Sequence, residues 1–338
     1  MTAKPALTAI APDTSLRIVR VTAAVLCGFG GAIVIWTFFQ FVPVFPAPTV
    51  LAIALELPLL VAGFLLVRVL RPVRNPPLLW SAAATVWGGS AAIGCALLAN
   101  QGLISLWAKT AGVGFASNWS SPLSAPLNEE VLKLCGVVMV VLAAPGQIRG
   151  PLDGMVFGAL TGLGFQVVEN VTYGLDNIVQ SGATSPVIAV TNSYLVRLST
   201  AVGSHWAMTA VAGAGIGYLV LHGRSRRGVT GAVGCLAIAM GMHLVFDAPR
   251  LPIGIKVTVN FVIVAAIFVW LNQSYLASIR DALSRYAAAG FVTEDEAEGM
   301  LSRAGRQRAL RSAAGAGDRD AVRARQQDVL AQVEADAA

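Results

Sequence analysis

The sequence predicts an all-α, polytopic integral membrane protein: a bundle of about eight transmembrane helices followed by a cytosolic helical tail. Of its 338 residues, 56% are hydrophobic and only 12% are charged, whereas an ordinary globular domain carries about 25% charged residues. Long apolar runs follow one another between residues 18 and 276. The first run follows Lys4, Arg17 and Arg20 without a small-residue cleavage site, so we expect an uncleaved first span rather than a removed signal peptide.

Eight apolar runs come close to the roughly 20 residues that a helix needs to cross a bilayer. Together they predict a membrane domain over residues 18–276. Two shorter stretches, 102–119 and 186–196, contain glycine or proline, so we expect interfacial or re-entrant helices there. The predicted spans cover residues 18–42, 49–69, 78–100, 127–145, 152–176, 199–221, 229–248 and 254–276.

The lysines and arginines orient the predicted bundle with both termini inside. Inner segments of membrane proteins carry an excess of these residues, and with the N-terminus inside most of the 24 fall on the inner side. Residues 1–17 then form a cytosolic N-terminal segment. The same bias explains the net charge of +6, which therefore does not indicate a nucleic-acid partner. The outer segments contain only Lys109, Arg197, Arg250 and Lys256.

Residues 277–338 differ in composition from the membrane domain, because they are rich in alanine, arginine and acidic residues. The stretch TEDE (293–296) has the spacing of a capping box, which predicts the start of a short helix. We expect a cytosolic helical appendage. Its composition suits either a solvated tail or a regulatory one.

Eight ionisable residues fall within or at the ends of the predicted spans, where charged groups are costly and each is a functional hypothesis by default. A buried ion pair or a polar contact between helices is the competing explanation. With a rise of 1.5 Å per residue, those on separate helices reach the same outer third of the bilayer, and scattered ion pairs would have no cause to share one depth. The residues are Glu56, Glu129, Glu130, Lys133, Glu169, His205, His243 and Asp247.

Three of these charges stand together at the predicted outer end of the fourth span. Glu129 and Lys133 are four residues apart, so we expect them to form an ion pair that leaves Glu130 on an adjacent face. Asn128 is a candidate N-cap of this span. Because the helix dipole favours a carboxylate in the first turn, a helix-end role is an alternative for Glu129.

Two histidines and several carboxylates at one depth support two related reactions. They can hold a divalent ion that lowers the pKa of its bound water to about 7, while a spare glutamate acts as base. Alternatively, a desolvated glutamate activates water directly, and histidine and asparagine donors stabilise the oxyanion. His243 and Asp247 share a helix face, as do Glu169 and Tyr173, which suits either two ligands or a carboxylate that orients an imidazole. Both reactions are hydrolyses.

Four motifs occur in order along the chain: NEEVLK (128–133), DGMVFGALTGLGFQVVENVTY (153–173), RLSTAVGSHWAMTAVAGAGIG (197–217) and HLVFD (243–247). This ordered set resembles the PrsW family of bacterial intramembrane proteases, with a catalytic core over about 125–250. The resemblance implies a membrane endopeptidase, distantly similar to CAAX prenyl endopeptidases, in the bacterial cytoplasmic membrane. It also implies a single-span substrate such as an anti-sigma factor, cut near the extracytoplasmic side.

The resemblance also implies roles for individual residues. Of the catalytic set, we expect Glu130 to be the general base, and His205 and His243 to be metal ligands or oxyanion donors. Glu169 is expected to be a further metal ligand or a second carboxylate. The carried-over catalytic set is Glu129, Glu130, Glu169, His205 and His243, with Lys133, Asn170 and Asp247 as supporting groups.

The family description and its relatives leave the cofactor open. The family is classed with metalloproteases, which implies a divalent metal with zinc as the candidate, whereas the CAAX relatives suggest a glutamate mechanism without metal. The chain departs from the family pattern at Gln166, where we expect a small residue, and in the tail after residue 276.

A transporter or channel that uses the same Glu/His cluster as a proton or ion relay is the rival from another class. A relay should distribute polar groups along the full depth of the membrane and often shows inverted repeats. The inner halves of the fourth to seventh spans are nearly free of ionisable groups, which favours the one-sided site of an enzyme. A non-catalytic scaffold or immunity protein is the third alternative.

Overall fold

A computed structural model describes residues 13–337, and all regular secondary structure in that range is helical. The predicted cytosolic segment 1–17 lies mostly outside the described residues. A π-helical turn over Gly88–Ala92 and a 3-10 turn over Ala201–Gly203 join neighbouring helices. The helices are α1 (Asp13–Phe39), α2 (Pro46–Val69), α3 (Leu78–Trp87), α4 (Ile93–Thr110), α5 (Val113–Ala143), α6 (Pro151–Gln180), α7 (Pro186–Thr200), α8 (His205–His222), α9 (Arg226–Asp247), α10 (Ile253–Ala288), α11 (Glu294–Met300), α12 (Arg303–Ser312) and α13 (Ala316–Asp336).

Six helical segments of the described chain are long and apolar enough to cross a membrane, namely α1, α2, the continuous α3–α4 unit, α6, α9 and α10. They confirm a polytopic, all-α membrane protein. The two other predicted spans fall on α5, which contains three charged residues in its centre, and on α8, which begins and ends with histidine. The count of eight spans and the orientation of the bundle remain predictions.

Helix α6 lies at the centre of the bundle, with 23 of its 30 residues buried. A row of glycines allows α8 to pack directly on it. Gly158 faces the backbone of Thr209 and Gly213, and a Cβ added at Gly162 would lie only 2.7 Å from the Trp206 Cα. Small residues permit such close approach of helices in lipid. Because this seam leaves no room for side chains, it fixes how the C-terminal half of α6 faces the start of α8.

The region between the third and fourth predicted spans differs from the prediction. The sequence predicts a separate short helix over 102–119, but these residues are shared between the end of α4 and the start of α5. Glu129 therefore lies in the middle of a helix, and the predicted N-cap role of Asn128 is wrong. Pro122 and Pro126 lie inside α5, and because proline removes a main-chain hydrogen bond the sequence suggests a helix start at this point.

The tail forms α11, α12 and α13, which pack against the end of α10. The predicted capping box is confirmed: Thr293 Oγ1 accepts from the Glu296 N–H at 3.2 Å, and the Glu296 carboxylate accepts from the Thr293 N–H at 3.0 Å. The tail is therefore helical and docked rather than loose, while its cytosolic location stays a prediction. The apolar cluster buried between the tail helices, the C-terminal part of α10 and the segment after α2 includes Val73, Ile279, Leu283, Met300, Leu330 and Val333.

A buried set of ion pairs, here called the tail cluster, joins α13 to the membrane domain. The Glu334 carboxylate accepts from Arg149 at 2.7 Å, from Arg71 at 2.9 Å and from the Tyr275 hydroxyl at 2.6 Å. Arg71 Nε lies 2.6 Å from Asp153 in the first turn of α6. Burial opposes the charge of Arg71, but Asp153, Tyr275 and Glu334 outweigh it and raise its pKa. The tail cluster comprises Arg71, Arg74, Arg149, Asp153, Tyr275 and Glu334.

Candidate active site

The start of α8 meets the C-terminal half of α6 at a buried histidine–carboxylate contact. His205 is the first residue of α8, directly after Ser204, whose extended backbone precedes the helix. Its Nε2 lies 2.7 Å from Glu169 Oε2 on α6, and both residues are buried. An Nε2–H that donates to Glu169 leaves the Nδ1 lone pair of the same imidazole available as an acceptor or a ligand.

Lys133 of α5 places a fully buried ammonium at the centre of the site. Its Nζ lies 2.6 Å from Glu130 Oε1, 3.0 Å from His205 Nδ1 and 3.8 Å from Glu129 Oε2. It also lies 4.5 Å from the centre of the Phe165 ring. The predicted pairing of Lys133 with Glu129 is corrected, since the shorter contact is with Glu130. Residues three and four apart on a helix are both within reach, so tertiary contacts decide between the two glutamates.

Glu130 is fully buried and engages neighbours on three helices. Its Oε1 contacts Lys133 on the same helix and lies 3.0 Å from His243 Nδ1 on α9. Its Oε2 accepts from the Thr209 hydroxyl on α8 at 3.0 Å. Glu130 therefore ties α5 to α8 and α9, and its contact with Nδ1 leaves the Nε2 atom of His243 for other partners.

Glu129, the adjacent carboxylate, is only half satisfied. Its Oε1 accepts from the Asn100 amide at 2.9 Å, whereas its Oε2 has no hydrogen-bond partner within residues 13–337. This free oxygen lies 3.7 Å from His243 Nε2, which also lacks a partner there, and 3.9 Å from His205 Nδ1. Three potential ligand atoms, one each from α5, α8 and α9, thus converge on one buried point.

Glu129, His205 and His243 are close enough together to hold a metal ion, and their chemistry fits one. Two imidazoles and a carboxylate are the protein ligands of many catalytic zinc sites. The free Glu129 Oε2 and His243 Nε2 would each gain a partner in such an ion. Glu169, which is expected to be either a metal ligand or a second carboxylate, lies 2.7 Å from His205 Nε2, and a carboxylate on the second ring nitrogen is typical of metal-bound histidine.

Arg197, at the end of α7, belongs to the site although the sequence assigns it to an outer segment. Its Nη2 donates to Glu169 Oε2 at 2.5 Å and its Nε donates to Asn170 Oδ1 at 2.6 Å. The guanidinium lies 4.4 Å from the centre of the Tyr173 ring. Asn170 in turn donates to Glu56 on α2 at 3.1 Å. This chain of hydrogen bonds holds Glu169 in place behind the imidazole of His205.

Asp247, at the last turn of α9, is the most exposed carboxylate of the site, with 17% of its side chain accessible. It accepts from the Ser121 hydroxyl at 2.8 Å and lies 3.8 Å from His243 Nε2. If all groups were ionised, the carboxylates of the site would outnumber lysine and arginine by three, and this excess of negative charge favours a bound cation. The groups compared are Glu56, Glu129, Glu130, Glu169 and Asp247 against Lys133 and Arg197.

The sequence does not single out three residues that hydrogen-bond to the glutamates of the site, namely Thr209, Arg197 and Asn100. Thr209 lies four residues after His205, so helical spacing from a histidine would have indicated it. Arg197 is one of the few cations in an outer segment, against the positive-inside bias, which is also a usable signal. Asn100 is uncharged and carries no comparable signal, and only the packing of α4 on α5 places it beside Glu129.

The fold and the site together define a class: a polytopic helical membrane protein with a buried carboxylate–histidine centre of the kind that activates water. Comparison with protein families matches residues 76–271 to the PrsW family intramembrane metalloproteases, which is more than half of the chain. The chain therefore belongs to the PrsW family and is an intramembrane protease in a lipid bilayer, as the sequence motifs predict. No curated protein and no solved structure matches it.

Proposed function

We propose that this protease cleaves single-span membrane proteins, of which an anti-sigma factor is an example, near the extracytoplasmic side of a bacterial cytoplasmic membrane. The observation that carries the proposal is the convergence of His205 Nδ1 and His243 Nε2 on the free oxygen of Glu129, at 3.9 and 3.7 Å. Hydrolysis inside a helix bundle requires ligands or a base of this kind to activate water.

In the metal-dependent form of the proposal, Glu129, His205 and His243 would hold a divalent ion, with zinc as the candidate. When bound, such an ion lowers the pKa of its water and polarises a carbonyl. Glu130 and Glu169 would act from behind, each fixing the tautomer of one imidazole so that its second nitrogen can ligate. This role for Glu130 replaces the general base expected from the sequence, because both of its oxygens already have partners.

Lys133 favours a second, metal-free form of the mechanism. Its ammonium is hydrogen-bonded to His205 Nδ1 at 3.0 Å, so ligation through that nitrogen requires this hydrogen bond to be given up. With Lys133 in place, Glu129 Oε2 is the carboxylate oxygen available to accept a proton from water. The Lys133 ammonium would then stabilise the developing oxyanion.

The distribution of charge along α6 and α8 supports a one-sided site. Between Asp153 and Glu169, α6 contains no Asp, Glu, Lys, Arg or His, and neither does α8 between His205 and His222. At 1.5 Å per residue this apolar stretch of α6 is about 24 Å long. A relay of protons or ions would need polar groups along it. If the tail cluster is cytosolic, the catalytic site lies in the outer leaflet.

The test is cleavage of a tagged single-span substrate by purified protein in nanodiscs. We expect Glu129→Gln, His205→Ala and His243→Ala to abolish cleavage. His222→Ala, at the other end of the helix that carries His205, is the matched control and should keep it. Retained cleavage in all three site variants would refute the assignment of the site.

Elemental analysis of the same preparations separates the two mechanisms without relying on activity. The metal-dependent form predicts about one bound divalent ion per chain in the wild type and in His222→Ala, and a clear loss in His205→Ala. An active wild type that contains no metal would instead establish the glutamate form.

A further inference from the structure

A cavity of about 350 Å³ opens between the tail and the membrane domain, beside the tail cluster. We call it the tail cavity, and its volume is in the range of ligand pockets. Residues of α6, α8, α9 and α10 form its walls on the membrane domain, and Glu334 and Ala337 form its wall on the tail. A ligand bound in the tail cavity would therefore contact both parts of the protein.

The tail cavity lies where four predicted spans end on the same side of the membrane. Its residues Pro151, Leu221, Arg227 and Tyr275 each lie within two positions of a predicted span border. The positive-inside bias assigns all four borders to the inner surface. The cavity is therefore predicted to lie level with the headgroups of the inner leaflet.

One side of the tail cavity is aromatic and reaches the surface of the bundle. The Trp270 ring of α10 stacks on Tyr218 of α8, with 6.5 Å between the ring centres, and 55% of Trp270 remains exposed. The adjacent Val269 is also half exposed, as expected for a helix surface that faces acyl chains. Tryptophan and tyrosine are enriched at headgroup level. A lipid can therefore place its headgroup in the cavity and keep its chains beside α10.

The charges around the tail cavity favour an anion. Its two carboxylates are already paired, since Asp153 lies 2.6 Å from Arg71 and Glu334 contacts arginines at 2.7 and 2.9 Å. Arg227, in contrast, has an exposed side chain and forms no ion pair among the described residues. Arginines outnumber carboxylates by two, so the cavity can accept a negative charge. The groups compared are Arg71, Arg74, Arg149 and Arg227 against Asp153 and Glu334.

Charge and apolar surface together identify the class of ligand. Guanidinium groups bind phosphate oxygens well, and the hydroxyls of Ser274 and Ser278 on the α10 wall are further donors. A soluble phosphate compound would use these groups but not the lipid-facing side at Trp270. A zwitterionic lipid would bring a positive charge beside Arg227. Basic pockets between helices at the inner surface are typical binding sites for anionic headgroups.

We propose that the tail cavity binds the headgroup of an anionic phospholipid from the inner leaflet, with Arg227 as a ligand of its phosphate. The bound lipid contacts α13 as well as α8 and α10, so it stabilises the docked position of the tail. This binding site is separate from the candidate active site, and the proposal does not depend on which substrate the protease cleaves.

Lipid retention tests the site without relying on activity. Full-length protein is purified from nanodiscs of phosphatidylcholine and phosphatidylglycerol, and native mass spectrometry measures the lipid that stays bound. Arg227→Gln should lower the retained phosphatidylglycerol about fivefold, the effect of one basic residue near an anionic headgroup. Arg226→Gln is the matched control, because Arg226 is exposed but does not line the cavity. Equal retention in both variants would overturn the proposal, because it would show general attraction to the membrane surface.

A second pair of variants tests the cavity by filling it. Ser274→Trp should displace the lipid, whereas Gln273→Trp, at an exposed neighbouring position that does not line the cavity, should retain it. Adding phosphatidylglycerol should raise the unfolding temperature of the wild type and of both controls more than that of Arg227→Gln and Ser274→Trp. All of these proteins should unfold alike in pure phosphatidylcholine. Equal stabilisation of every variant by phosphatidylglycerol would refute the site.

Soluble glycerol phosphate distinguishes the source of the phosphate. Added to protein in pure phosphatidylcholine nanodiscs, it should leave the unfolding temperature of the wild type unchanged, because it lacks the chains that lie beside α10. A rise as large as that caused by phosphatidylglycerol, and lost in Arg227→Gln, would overturn the lipid as the ligand.

Discussion

Helix α6 contributes to two buried clusters of charges, one at its first turn and one in its C-terminal half, and the two clusters differ in how completely their atoms are paired. In the tail cluster, Glu334 contacts Arg71, Arg149 and Tyr275. Arg71 Nε, although it lacks hydrogen-bond geometry, still forms an ion pair of 2.6 Å with a carboxylate. In the active site, Glu129 Oε2 and His243 Nε2 have neither a hydrogen bond nor an oppositely charged atom closer than 3.7 Å.

This contrast distinguishes a cluster that stabilises the fold from one that has atoms free to bind a ligand or to react. Buried charges are costly unless they are paired, and every charged side chain of the tail cluster has an oppositely charged partner within 2.9 Å. The candidate active site is similarly buried but contains two histidines, and it leaves ligand-type atoms of Glu129 and His243 without a partner among the described residues. Open atoms lower stability and create reactivity, so substitutions in the two clusters should affect different measurements.

The largest expected effect is on catalysis, from Glu129→Gln. This substitution keeps the shape of the side chain but removes the free carboxylate oxygen, so we expect a loss of roughly 10²–10⁴-fold in cleavage rate with little change in thermal unfolding. Glu130→Gln should also lower stability, because it leaves the buried Lys133 ammonium without its closest counter-charge. Normal activity in Glu129→Gln, measured alongside its unfolding curve, would contradict the assignment of the cluster with unpaired atoms to catalysis.

The next largest effect is on stability, from Glu334→Ala. The substitution leaves the buried guanidinium of Arg71 without one of its counter-charges, so we expect a cost of about 3–5 kcal/mol. The change should appear as a lower unfolding temperature and as faster tryptic release of the tail, while cleavage at permissive temperature continues. Glu298→Ala, an exposed carboxylate in α11, is the control. A catalytic defect without loss of stability would remove the distinction between the clusters.

A smaller effect is expected for Arg197→Met, which removes the cation that supports Glu169. Residues that orient a ligand from behind typically contribute 10–100-fold to metal affinity or activity, so we expect a drop of that order in both. Arg197→Lys should recover only part, because lysine keeps the charge but cannot contact Glu169 and Asn170 as a fork. Lys109→Met, at an exposed position predicted to lie on the same side of the membrane, should change neither quantity.

The smallest effect concerns pH and the tail. The Thr293 main-chain N–H, followed by Arg325, lowers the pKa of Glu296 below its ordinary value of 4.5. A depressed folded-state pKa stabilises α11 above that ordinary value, and the contribution is lost as the pH falls further through the folded-state pKa. Site-directed spin labels on α11 should therefore report fraying of this helix below about pH 4.5. In Glu296→Gln, the mobility of the labels should not depend on pH. Identical pH profiles in the wild type and in Glu296→Gln would exclude a contribution of the Glu296 carboxylate to the stability of α11.

Several features of the protein can be predicted from single residues and local spacing. The membrane class follows from apolar runs, the Thr293 capping box from a four-residue pattern, and membership of the PrsW family from the ordered motifs that include Glu129 and His205. The incorrect prediction that Asn128 is an N-cap has a local cause as well. Pro122 and Pro126 suggest a boundary, but α5 continues through them.

Pairing at the site could not be predicted in the same way. Lys133 reaches both Glu129 and Glu130 by helical spacing, and the choice depends on Thr209 and His243, which approach from other helices. The support of Glu169 by Arg197 likewise depends on how α7 packs beside α6, because the two residues lie 28 positions apart in the sequence.

The sequence alone identifies a helical membrane protein of the PrsW type, because the lengths of the hydrophobic runs and the order of the motifs do not depend on how the helices pack. Which polar atoms remain without a partner depends on that packing. The glycine seam between α6 and α8 brings His205 to Glu169, and the arrival of α9 engages Glu130 while leaving Glu129 Oε2 without a partner. Whether a buried polar atom lacks a hydrogen-bond partner is a property of the packed protein, because it depends on the position of every neighbouring helix.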